Sequence, residues 1–135
     1  MAGAFVLVGA ALVLGFLFIG TPGHARQLAM DRKRVDDLHD IALDVRRVYG
    51  QRGPLPARLP AGVKAADPFT HRPYEYAKID ARNFRLCAIF SAAASGDDDR
   101  PPDLWGGDWS HPAGRVCFAF DVTTDAETPS SHTPR

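Results

Sequence analysis

The sequence predicts an α+β protein: an N-terminal transmembrane helix, then an amphipathic helix packed on a small antiparallel β-sheet of about three strands. Three observations carry this expectation. An uncharged apolar run opens the chain, an apolar stripe of helical period follows it, and three short segments rich in β-branched and aromatic residues come after a proline-rich connector.

The chain has 135 residues, room for one domain beside an anchor. Its 16 basic and 16 acidic side chains balance. No general affinity for nucleic acid follows from such a composition, and none is expected.

From Ala4 to Gly20 there is no charged or hydrogen-bonding side chain. At about 1.5 Å per residue, this run and its flanks approach the roughly 30 Å hydrocarbon thickness of a bilayer. Gly9 and Gly15 would weaken a soluble helix but are common in transmembrane ones. Residues 1–23 are therefore read as an anchor closed by the helix-breaking Thr21-Pro22-Gly23. The competing reading is a cleaved signal peptide, for which Gly23-His24-Ala25 supplies small residues before a cut. The start Met-Ala-Gly-Ala lacks the Lys or Arg that such peptides carry, which favours the anchor.

Orientation draws two opposed signals. Arg26, Arg32, Lys33 and Arg34 follow the span, and basic flanks are retained in the cytoplasm. The two cysteines, Cys87 and Cys117, both fall in strand-like segments and suit an exported, disulfide-bonded domain. The expectation adopted is an inner (cytoplasmic) membrane protein whose domain faces the periplasm or the exterior.

His24 to Tyr49 reads as an amphipathic helix. Leu28, Val35, Leu38, Ala42, Val45 and Tyr49 recur at helical spacing, and Gly50 supplies a stop. Asp31, Arg32, Lys33, Asp36, Asp37, Asp40, Asp44, Arg46 and Arg47 are expected on a solvated opposite face. Residues 51–67 are too broken by proline for a regular element and read as a connector.

Tyr74–Ile79 and Asn83–Phe90 read as a hairpin, and Val116–Val122 as a third strand. Positions i and i+2 share a face of a strand. Phe84, Leu86, Ala88 and Phe90, with Val116, Phe118, Phe120 and Val122, are thus expected against the helix. Cys87 and Cys117 share the opposite parity, so a disulfide between them is geometrically allowed. Closing a loop of about 30 residues would contribute roughly 3–4 kcal/mol in the chain-entropy model.

Residues 91–115 form a long connection, and loops of that size are usually functional. Asp97, Asp98 and Asp99 offer hard oxygen ligands for calcium, though the spacing is not that of an EF-hand; an exposed acidic loop is the alternative. Trp105, Trp109 and His111 offer an aromatic binding platform; the alternative is that these rings pin the loop to the body. No serine sits in a nucleophile elbow and no histidine in a triad or metal motif, so no enzyme is expected. Thr124–Arg135 is expected to be a disordered polar tail, which leaves 24–123 as the soluble domain.

One segment carries a family resemblance. Asp67-Pro68-Phe69-Thr70-His71-Arg72-Pro73-Tyr74-Glu75-Tyr76 resembles the Asp-Pro-Trp-Gly-x-Pro-Tyr-x-Tyr signature of the type II secretion major pseudopilin. It follows a helix ending Tyr49-Gly50 and a Gly53-Pro54-Leu55-Pro56 connector, in the order of type IV pilin-like proteins. The resemblance spans about residues 24–90. It implies a helix-on-sheet fold, a rigid turn at Asp67-Pro68 and Pro73, and Tyr74 and Tyr76 directed to the helix. It also implies calcium in the loop after the hairpin. The prepilin processing signature is absent: Gly15-Phe16 occurs, but the fifth residue from that Phe is Gly20, not Glu. Together these point to a non-enzymatic, membrane-anchored envelope module with structural or accessory partners. A ligand- or calcium-binding sensor using residues 96–111 is the alternative.

Overall fold

A computed structural model describes residues 2–19, 22–95, 108–123 and 130–132, with side chains at 6–15, 22–95 and 108–123. Among the described residues the architecture is α+β: two helical segments, then an antiparallel sheet. Helix α1 covers Ala2–Ile19. Its Val6, Leu7, Val8, Leu12, Val13 and Leu14 are all exposed. Among the described residues no helix is long and apolar enough to cross a membrane; the side chains described in α1 run only from Val6 to Gly15.

Helix α2 covers Pro22–Arg52. The apolar stripe turns inward as expected: Val35, Leu38, Ile41, Ala42 and Val45 are buried. Two expectations need correction. The helix runs past Gly50, and the terminating glycine is Gly53, whose φ of 82° lets its N–H donate to the Tyr49 carbonyl at 2.7 Å. Asp31 and Asp37 do not lie on a solvated face; both are buried, as is Arg34.

The sheet comprises β1 (Glu75–Lys78), β2 (Asn83–Phe90), β3 (Gly114–Asp121) and β4 (Ser130–His132), in that spatial order. The β1–β2 hairpin closes on Asp80, whose Oδ1 accepts the backbone N–H groups of Arg82 and Asn83, both at 2.8 Å. β2 and β3 pair in a register that sets Phe84 opposite Phe120, Leu86 opposite Phe118 and Cys87 opposite Cys117. β4 corrects the expected tail: three of its residues pair with β3, His132 opposite Cys117. Residues 124–129 and 133–135 lie outside the described residues.

Parity sorts the sheet as the sequence predicts. Phe84, Leu86, Ala88, Phe90, Val116, Phe118 and Phe120 join the α2 stripe, Leu55, Tyr74 and Trp109 in one core. Val122 packs at its edge. Fully burying each large side chain contributes about 1.5–3 kcal/mol, so this layer is the main source of stability. Arg85, Ile89 and Arg115 on the opposite face are exposed.

Candidate functional site

The polar centre of the molecule is a buried clasp between α2 and the loops at one end of the sheet. Arg34, 2% exposed, is its hub. Its Nη1 donates to Asp31 Oδ1 at 2.5 Å and to Ser91 Oγ at 2.8 Å, and its Nε donates to Asp67 Oδ2 at 2.6 Å. The guanidinium also lies over the Phe69 ring, 5.5 Å from its centroid.

Each carboxylate of the clasp holds backbone as well. Asp31, one helical turn before Arg34, accepts the N–H groups of Ser91 and Ala92 at 2.8–3.0 Å, which ties the exit of β2 to the helix. Asp67 accepts Phe69 N–H at 2.8 Å and Thr70 N–H at 3.2 Å. Burial pushes the Asp67 carboxyl up, but the Arg34 guanidinium and these two amides outweigh it and hold it below the usual carboxylate range.

These contacts explain the Asp67–Tyr76 segment. Asp67 N–H donates to the Arg72 carbonyl at 2.9 Å, Ala66 and Pro73 form an isolated bridge, and His71 closes the turn at φ 57°. Positive φ is uncommon for a side-chain-bearing residue, and histidine is among those that tolerate it. Tyr74 then enters the core and donates its hydroxyl to Asp37 Oδ2 at 3.0 Å. Burial first, then the Asp37 carboxylate, raises the Tyr74 phenol far above its ordinary value. Lys33 Nζ donates to Asp37 Oδ1 at 2.6 Å. Tyr76 spans to the connector and donates to the Pro56 carbonyl at 2.6 Å.

The sequence contained a trace of this clasp. Asp31 and Arg34 stand three residues apart and in phase with Leu38 and Ile41, so both face the core of the helix stripe. Opposite charges at core-facing positions mark a buried pair. Their partners Asp67 and Ser91 lie 33 and 57 residues from Arg34, a distance no local pattern reports.

Ser91 Oγ faces an arginine, which has no lone pair with which to remove its proton. Among the described residues no group of three or more His, Cys, Asp or Glu is placed to hold a metal ion. Asp97, Asp98, Asp99 and Trp105 lie outside the described residues.

Trp109 and His111 are core residues. The Trp109 ring packs 4.9 Å from Phe118, centroid to centroid, and 6.4 Å from His39. His111 stacks on Phe90 at 3.8 Å. Its backbone bridges Ala94 through hydrogen bonds of 2.8 and 2.9 Å, fastening together the two ends of the long connection. Both rings are under 10% exposed, so neither offers a free face to a ligand. This burial accords with the reading in which the rings pin the loop to the body: the hydrophobic gain from burying two rings exceeds that from displaying them. Burial also holds the His111 imidazole below its ordinary pKa, against the favourable carbonyls of Pro112 and Ala92 and the Asp31 charge.

On the other face of the sheet, Cys87 and Cys117 form a disulfide between paired strands, with Cα atoms 4.0 Å apart. Among the described residues there is no free cysteine.

No protein-family model matches the chain, and no similar curated protein or solved structure was found.

Proposed function

We propose that the chain is a non-enzymatic envelope module tethered to the inner (cytoplasmic) membrane by α1, with its disulfide-locked α+β domain on the periplasmic or exterior side. There it serves as a structural or accessory partner of other envelope proteins. The observation that carries this reading is the surface of α1. Val6, Leu7, Val8, Leu12, Val13 and Leu14 project around the whole helix, and each is more than half exposed. A helix apolar all round needs a buried or lipid environment. The uncharged sequence continues to Gly20, which extends the apolar run toward bilayer length.

The disulfide supports the oxidising side of the membrane over the side favoured by the basic flank. The clasp supports a structural role, because its buried charges are engaged with one another and with backbone. The pilin-like reading of residues 24–90 rests on the order of helix, connector, Asp67–Tyr76 turn and sheet. Because Gly20 stands where the pilin processing signature needs a Glu, filament assembly is not part of the proposal.

Alkaline carbonate washing of membranes tests the reading. The full chain is expected to stay in the pellet, and a chain lacking residues 1–21 is expected in the supernatant. Extraction of the full chain would refute the anchor. A calcium-dependent rise in thermal midpoint, lost in an Asp97→Asn, Asp98→Asn, Asp99→Asn variant, would favour a sensor instead.

A further inference from the structure

The disulfide lies on the face of the sheet opposite α2, yet Cys87 is 3% and Cys117 1% exposed. An ion pair contributes to that cover. Glu75 on β1 is directly opposite Cys87. Arg115 stands two residues before Cys117 on β3, hence on the same face. Arg115 reaches across β2 to Glu75, donating from Nε to Oε1 at 3.0 Å and from Nη2 to Oε2 at 2.5 Å. The same Nη2 lies 3.7 Å from Cys87 Sγ. On the far side, β4 runs beside Cys117.

We propose that the Glu75–Arg115 pair is a strap that limits thiol access to the Cys87–Cys117 bond, so that opening of the strap governs reduction of the folded protein. Reduction begins when an external thiolate bonds to one Sγ. The S–S electron pair leaves on the other Sγ, which takes up a proton. A second thiol then displaces the first sulfur, leaving two cysteine thiols and one oxidised reductant. The first step needs open approach to sulfur, and the guanidinium occupies that approach at Cys87. Because both partners are about half exposed, the strap opens readily and is weakened by salt.

A rival effect has the opposite sign. A guanidinium beside sulfur stabilises a departing thiolate, which would make Arg115 promote reduction. Replacing Arg115 separates the two.

The test uses the oxidised full chain in detergent micelles with excess dithiothreitol, reading free thiols against time. Arg115→Gln and Glu75→Gln are each expected to be reduced roughly two- to fivefold faster than the parent, the range set by the small free energy of an exposed pair. Arg47→Gln, exposed on α2 and paired with Asp44, should leave the rate unchanged. Raising salt should accelerate the parent and spare the two strap variants. Thermal midpoints of the oxidised variants check that each is folded. An unchanged or slower rate in Arg115→Gln overturns the proposal. So does a parent rate that rises with urea in step with global unfolding, because the bond is then reached only through the unfolded chain. The inference concerns the disulfide alone and stands whether or not α1 is an anchor.

Discussion

Replacing Arg34 with Met should be among the most damaging single changes in the domain. The side chain is 2% exposed and joins Asp31, Asp67 and Ser91 through bonds of 2.5–2.8 Å. Methionine fills much of the same volume but leaves two buried carboxylates without their counter-charge. Removing one partner of a buried pair typically costs about 3–5 kcal/mol. Here Asp31 and Asp67 each retain two backbone amides, so the lower end, about 3 kcal/mol, is the expected loss. Domains of this size are stable by only about 5–15 kcal/mol. Urea denaturation of the full chain in detergent, followed by circular dichroism, should therefore show a midpoint lower by about 1–3 M. Arg47→Met is the control. That residue is exposed and pairs with Asp44, so its midpoint should barely move. If Arg34→Met lost less than about 1 kcal/mol, the clasp would not be a principal tie between α2 and the sheet.

Three further outcomes follow from the same contacts. Cys87→Ser with Cys117→Ser should lower stability by about 3–4 kcal/mol in the chain-entropy model, read as a fall in the urea midpoint. Asp67 has a folded pKa below its ordinary value, so its contribution is complete above about pH 3.9 and is lost as pH falls through the lower folded value. Acid titration of the parent should show that loss, and Asp67→Asn should flatten it. His111 is also depressed when folded, so its neutral form contributes fully above about pH 6.5, and stability declines as pH falls from there toward the folded value. The urea midpoint of the parent should drop between pH 7 and pH 5, and that of His111→Gln should drop less.

Local periodicity made most of the fold legible. The two-residue alternation of β2 and β3 placed Phe84, Leu86, Phe118 and Phe120 inward and both cysteines outward, because strand parity leaves no other arrangement once one face is buried. The α2 stripe was equally plain. By residue type Asp31 and Asp37 suit solvent, whereas their phase on α2 points to the core, where both are buried. The depth of the clasp depends on Asp67 and Ser91, which only the folded chain brings to Arg34. β4 was missed for a related reason: Ser130–His132 has no apolar alternation of its own and owes its conformation to the edge of β3. For Trp109 and His111 the residue types suited a surface platform as well as a core, and only packing against Phe90 and Phe118 decides between them.

The most direct test of a disulfide-locked domain outside the cytosol is the thiol state of Cys87 and Cys117 in cells. Cells are quenched in acid, the protein is denatured, and a thiol-specific mass tag is added with or without prior reduction. The account predicts no tag without reductant and two tags after it. Two tags on the unreduced protein would contradict both the locked sheet and the exported location.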